Sequence, residues 1–215
     1  MTLQDWVRQS RWVRNGLRAA AVLAALVLVG AGGWAWYRSQ ESRGLAALAE
    51  ATALVQQDGP EAAPQARDKA IRALEAVIAE HPRLSALPQA AYQLGNLEYA
   101  AGQYAAARGA YYLALAKGAS GSLRTLAGMG IGYTWEAEKD YISAAKAYEA
   151  AAKGLGQKDF VYEETLMAEA RAQDLAGKPA VALEIYQRLL REGPDSRHAE
   201  DLRNRIASLR ARTGQ

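Results

Sequence analysis

Three stretches of this chain repeat one arrangement of small and aromatic residues at a nearly constant interval. Gly102-Gln103-Tyr104 is followed by Ala107, Tyr111 and Ala114; Lys139-Asp140-Tyr141 by Ala144, Tyr148 and Ala151; Gly177-Lys178-Pro179 by Ala182, Tyr186 and Leu189. The offsets are 37 and 38 residues. An earlier set, Ala70, Leu74, Val77 and Pro82, precedes Ala107, Tyr111, Ala114 and Ala119 by the same 37, and Leu94-Gly95 recurs 37 residues on as Ile131-Gly132. A period of this length is the mark of a stacked array, because one supersecondary unit cannot bury its own apolar face and needs a neighbour to cover it. The composition agrees. Half of the residues are apolar and Phe occurs once, so the core must be made of Ala, Leu and Tyr, which suits helices packed at short distance.

The order of these residues resembles the tetratricopeptide (TPR) pattern. In that family a Leu-Gly pair lies in the first helix, a Gly-Asp-Tyr-like turn follows, and the second helix carries an Ala, an aromatic, a second Ala and a terminal Pro. The physical roles are readable here. Gly95, Gly132, Ala107 and Ala144 permit close approach of two helices, the tyrosines fill the space between units, and Gly102 and Gly177 suit helix ends that need a positive φ. The resemblance covers about residues 66–194 and implies an all-α, TPR-like solenoid of about four helical hairpins. Helices are predicted near 2–15, 17–39, 41–57, 65–80, 87–101, 104–117, 122–137, 141–153, 160–176, 179–192 and 196–211. The stretch from Asp58 to Pro64, with Pro60 and Pro64, reads as a loop. The last helix carries Arg197, Glu200, Asp201, Arg203, Arg205, Arg210 and Arg212 around Leu202, Ile206 and Leu209, a polar outer face fit to cap an array.

Residues 19–37 form an uncharged run ending in Trp34, Trp36 and Tyr37. At about 1.5 Å per residue it spans roughly 28 Å, close to the hydrocarbon thickness of a bilayer. The run is longer than the core of a signal peptide and ends in aromatics and Arg38 rather than a small-residue cleavage site, so it reads as an uncleaved anchor. Arg8, Arg11, Arg14 and Arg18 precede it, and only Arg38 and Arg43 follow closely. That bias predicts a cytoplasmic basic amphipathic segment at 1–18, a transmembrane helix at 19–37, and a domain at 38–215 outside the cytoplasm. Leu3, Trp6, Val7, Val13 and Leu17 approximate one face of the first segment, which suits a helix lying on the inner leaflet.

The net charge of +3 belongs to this N-terminal part, since residues 44–215 hold 20 Lys and Arg against 21 Asp and Glu. The large domain therefore lacks the basic excess that nucleic-acid binding requires. The chain has no Cys and only His81 and His198, which leaves no thiolate chemistry and no convincing metal or triad set. Gly128-Met129-Gly130-Ile131-Gly132 follows no strand and lacks nucleotide-loop spacing, so its glycines read as helix-packing residues. With no acid–base pair beside an orienting group, the expectation is a non-enzymatic protein without cofactor, metal or small-molecule substrate.

What remains is a surface for protein partners. The TPR resemblance implies that particular first-helix positions face a concave side. They are Gln89, Tyr92, Asn96 and Tyr99, then Leu126, Met129, Tyr133 and Glu136, then Glu164, Met167, Arg171 and Asp174. Of these, Tyr92, Asn96, Tyr99, Met129, Tyr133, Met167 and Arg171 are the expected partner-binding groove, Tyr and Met being suited to adaptable contact. Tyr92 and Met129 stand where carboxylate-clamp TPRs carry Lys, which argues against capture of a partner's C-terminus. The whole layout, from Trp6-Val7-Arg8 and Trp12-Val13-Arg14-Asn15-Gly16 through the apolar run to Trp34-Ala35-Trp36-Tyr37 and the repeats, also resembles the ancillary subunit family of the bacterial SecYEG translocon. That resemblance implies an inner-membrane, single-pass protein with a periplasmic domain, working beside the translocon with a periplasmic chaperone. The alternative is a permanent accessory subunit of another inner-membrane complex, for example one for electron transfer.

Overall fold

A computed structural model of the protein describes residues 11–58 and 64–214. Most of the expected helix at 2–15 and the loop before Pro64 lie outside them. Among the described residues the protein is all helical, without strands: α1 Arg11–Asp58, α2 Pro64–Glu80, α3 Leu87–Ala100, α4 Tyr104–Ala116, α5 Gly121–Ala137, α6 Tyr141–Ala152, α7 Tyr162–Leu175, α8 Pro179–Glu192 and α9 Ala199–Thr213. The chain divides into two compact units, Met1–Ala46 and Ala47–Gln215.

The described part of the first unit is helical and belongs to α1. The helix does not break near residues 16 and 40 as the sequence suggested, but runs unbroken for 48 residues. No proline interrupts it, a single Gly16 costs a helix only about 1 kcal/mol, and the Ser42 hydroxyl bonds back to the Ser39 carbonyl at 3.0 Å within the helix. The apolar run is long enough to cross a membrane, and none of its most apolar window is buried. Val22, Leu23, Leu26, Val27, Leu28, Val29, Trp34 and Trp36 are all exposed. So large an uncovered apolar surface marks a partner or a lipid phase. The Arg38 guanidinium lies over the Trp34 ring at 5.1 Å, one turn away.

In the second unit each helix from α2 to α9 packs on the next, and α3 also touches α5. The repeated residues are the ones that make this possible. Ala107, Ala144 and Ala182 are wholly buried at equivalent points of α4, α6 and α8, and Tyr111, Tyr148 and Tyr186 are buried one turn further on. A Cβ added at Gly95 would lie 2.7 Å from the Tyr111 ring, one at Gly130 would lie 2.6 Å from the same ring, and one at Gly132 would collide with Tyr148. Gly128 lies against Ala151. The glycine-rich segment of α5 is therefore a packing surface, each missing methyl group making room for a neighbour. Where the fourth repeat has Ala170 instead of Gly, that Ala is buried in one cluster with Tyr186. Arg108 of α4 adds a tie across to α5, stacked 3.6 Å over Trp135 and paired with Glu138 at 2.9 Å.

The turns after α3, α5 and α7 share one geometry. The N–H of Gln103 donates to the Glu98 carbonyl, that of Asp140 to Trp135 and that of Lys178 to Gln173, each at 2.8–2.9 Å. This six-to-one bond closes a helix whose next residue is left-handed. Gly102 and Gly177 occupy that position at φ of 76° and 78°, as their place in the repeat predicts, and Lys139 takes it at 63° without the freedom of glycine. Asp140 then caps α6 by accepting from the Ser143 N–H at 3.0 Å, and Pro179 opens α8, where a missing N–H costs nothing. At the C-terminal end, Leu202, Ile206 and Leu209 of α9 close the cluster formed by Leu183, Tyr186 and Leu189 of α8.

Candidate functional site

Helices α3, α5 and α7 supply the walls of an open cleft, with α4 behind it. Tyr92, Asn96 and Tyr99 come from α3, Tyr111 from α4, Leu126, Met129, Gly130 and Tyr133 from α5, and Glu164 from α7. The spacing along α3 explains why its three residues meet, since positions separated by three, four and seven share one helical face. The cleft encloses about 240 Å³.

The expected groove residues distribute as follows. Tyr92, Asn96, Tyr99, Met129 and Tyr133 line this one cleft. Their exposure differs sharply. Asn96 is exposed and Tyr99 is 36% exposed, whereas Met129 is only 2% exposed and forms floor rather than contact surface. The Met129 sulfur lies 3.1 Å from the buried Thr165 hydroxyl, so its place is fixed from α7. Met167 packs instead against the cluster of α7, α8 and α9, away from the cleft lining. Arg171 is not in the lining either, but is coupled to it through charge. Its Nε and Nη2 donate to the two carboxylate oxygens of Glu136 at 2.7 and 2.9 Å, and the Tyr148 hydroxyl donates to Glu136 Oε2 at 2.7 Å.

Tyrosines dominate the electrostatics. Tyr92 stands 5.9 Å from Tyr111, Tyr99 5.4 Å from Tyr104, and Tyr133 5.6 Å edge-on to Tyr148. These are separations at which aromatic pairs attract. The Tyr111 hydroxyl donates to Asn96 Oδ1 at 2.8 Å, which orients the amide at the cleft. Burial, followed by the neighbouring Glu164 carboxylate, pushes the Tyr133 hydroxyl above the ordinary tyrosine range. Burial, then Tyr104 and Glu136, does the same to Tyr99. Burial alone would raise Glu136 as well, but the hydrogen bonds from Arg171 and Tyr148 and the Arg171 charge outweigh it and hold the carboxyl below its usual range. These hydroxyls therefore stay protonated at neutral pH, and the Glu136–Arg171 pair is a neutral unit.

No family model matches the chain, and no curated protein matches it. The site must be read from its own chemistry. Among the described residues no group of three or more His, Asp or Glu gathers as a metal site. The cleft holds one carboxylate, four phenol rings and an amide, and its residues present no nucleophile with a base beside it.

Sequence reasoning did not assign Tyr111 and Gly130 to this surface. Tyr111 reads as a filler between units, and it is one, but the absence of a side chain at Gly130 lets its ring reach the cleft. The signal was present in the pairing of two glycines, at 95 and 130, with one large aromatic.

Proposed function

We propose that the protein is a non-enzymatic, membrane-anchored TPR-like scaffold, held by α1 and engaging protein partners through the tyrosine-lined cleft of its second unit. The observation that carries this reading is the convergence of Tyr92, Asn96, Tyr99, Met129 and Tyr133 on a single open cleft. These are five of the seven residues that the TPR resemblance assigned to a partner-binding groove. Two further features support it. The repeated Ala and Tyr positions are buried alike in three successive units, which is what a stacked helical array requires. The exposed apolar run of α1 needs a lipid phase or a partner to cover it. In this reading residues 1–18 are cytoplasmic, 19–37 span the bacterial inner membrane, and the remainder works in the periplasm. The partners are envelope proteins, with the Sec translocon and periplasmic chaperones as the first to seek.

The test is site-specific photocrosslinking of the full chain in native membranes. A photoreactive residue is placed at Asn96 or Tyr99 in the cleft, and at Tyr112, which is 53% exposed and lines no part of it. Discrete crosslinked partners from positions 96 and 99, absent from 112, are expected. The same products from all three positions, or none from the cleft, would sink the reading. One stoichiometric product would point to a permanent subunit, and a sub-stoichiometric mixture to transient clients.

A further inference from the structure

We infer that the cleft is an anchor pocket for a basic side chain, Arg or Lys, projecting from the protein partner. The inference rests on the functional reading above and specifies the chemistry of its occupant.

Charge decides the matter. Glu164 is exposed at the cleft, and among the described residues it enters no ion pair and no hydrogen bond. The other charges on this side are already compensated: Glu136 by Arg171, and Asp174 by Arg212. The cleft thus carries one carboxylate without a side-chain partner, set in the first turn of α7, where the helix end offsets part of its charge. An apolar anchor entering it would strip water from Glu164 and return nothing, since a desolvated charge needs a partner. An anionic anchor meets Glu164 directly, and the Arg171 charge is already balanced by Glu136, to which its Nε and Nη2 donate. A cation is attracted on both counts. It neutralises Glu164, and it enters a space walled by Tyr92, Tyr99, Tyr111 and Tyr133, whose ring quadrupoles favour positive charge.

Size sets the class of ligand. About 240 Å³ falls below the roughly 300–1,000 Å³ of small-molecule sites, and suits one long side chain with its backbone left outside. Asn96 Oδ1 and the tyrosine hydroxyl oxygens add acceptors, and an ammonium or guanidinium is a donor without acceptors. The occupant is therefore a partner segment presenting Arg or Lys, and not a free metabolite.

The experiment uses the full chain in detergent micelles and immobilised pools of otherwise randomised nine-residue peptides. The central residue of each pool is fixed as Arg, Lys, norleucine or Glu. At low salt the wild-type protein should favour the Arg and Lys pools over norleucine by about tenfold or more, and reject Glu. That is the range for one charge-assisted contact of about 1.5–3 kcal/mol. Glu164→Gln should bring Arg retention to within about twofold of norleucine, lowering the first and raising the second, since an apolar anchor then desolvates no charge. Tyr99→Phe should preserve the preference, since it keeps the ring, and Tyr99→Leu should weaken it, with circular dichroism confirming the fold of each. Equal retention of the Arg and norleucine pools, a preference for Glu, or an Arg preference that survives Glu164→Gln overturns the inference. Crosslinks from positions 96 and 99 would then still uphold the cleft as a partner surface. Retention of no pool at all also counts against it.

Discussion

Arg171 grips Glu136 with two hydrogen bonds, one to each carboxylate oxygen, from one helix to another 35 residues earlier in the chain. This pair joins α7 to α5 at the end of the cleft where Tyr133 meets Tyr148, and Tyr148 supplies a third bond to the same carboxylate. The pair fixes the spacing of two cleft walls and also silences two charges that would otherwise face a ligand.

Breaking one half of that pair should cost more than breaking both. Arg171→Met leaves a largely covered carboxylate with a single donor, while Arg171 itself is 40% exposed, so solvent screens part of the loss. A destabilisation of about 1–2 kcal/mol is expected for Arg171→Met, and less for the double variant with Glu136→Gln. A double-mutant cycle by urea denaturation measures the coupling. Because Glu136 is held below its usual range, this stability is present above the ordinary carboxylate pKa and is lost as pH falls through the folded value. Coupling that persists unchanged at pH 2 would contradict the ion-pair origin.

The glycines of the second unit should divide by environment. Gly132→Ala drives a methyl group into the Tyr148 ring, whereas Gly109 in α4 has nothing within 4 Å of an added Cβ and an ordinary helical φ. Gly132→Ala should destabilise by about 1–3 kcal/mol, as overpacking does, and Gly109→Ala should stabilise by about 0.5–1 kcal/mol through backbone entropy. Ala107→Leu and Ala144→Leu, at wholly buried sites, fall with Gly132 at about 1–3 kcal/mol. Thermal melting of the set checks the order, and a stabilised Gly132→Ala would show that α5 and α6 do not meet there.

Glu98 should make the protein less stable as the solution becomes more alkaline. Its side chain is 5% exposed and its Oε2 has no hydrogen-bond partner among the described residues. Burial, reinforced by the Glu75 carboxylate, pushes its pKa up to about 7. The folded state then binds a proton that the unfolded chain releases, so stability declines between the ordinary carboxylate value and about pH 7 and levels off above it. The loss is on the order of 3 kcal/mol. Glu169, raised to about 6 by burial and then Glu149, acts in the same direction, so the share of Glu98 is read as a difference. Urea midpoints at pH 5 and pH 8 should converge for Glu98→Gln relative to wild type. Equal pH slopes in the two proteins would place the effect elsewhere.

The absence of cysteine makes topology measurable with single introduced thiols. Asp195→Cys, in an exposed turn, should react with a membrane-impermeant maleimide in intact spheroplasts. Ser10→Cys should react only after permeabilisation, as the arginine bias implies. Labelling in the opposite order would invert the orientation.

Much of the second unit was legible because its repeats are written in small residues. An Ala at 107, 144 and 182 with a Tyr four residues later can serve only close helix packing, and these residues are buried where that logic puts them. The cleft was legible as a set of positions on one face of α3 and α5. It was not legible as a volume, because Met129 and Met167 look equivalent in sequence and differ only in what the following helices lay over them. The Glu136–Arg171 bond depends on the rotation of two helices about their axes, which no local pattern encodes. The unbroken course of α1 was missed because Gly16 and Ser39-Gln40 look like boundaries, and only the lack of any competing cap lets the helix continue.

The Tyr111 ring, lodged between Gly95 of α3 and Gly130 of α5, sets a rule of inheritance for this chain. One side chain occupies room left vacant on two helices 35 residues apart, so positions 95, 111 and 130 can change only in concert. A lineage that gains a side chain at either glycine must shrink residue 111 in the same step or lose the contact. Units of this chain are consequently not interchangeable bricks. A module transplanted into another array would have to be cut so that Gly130 travels with the tyrosine of the unit before it, and the natural seam for recombination falls inside a structural unit rather than between two of them.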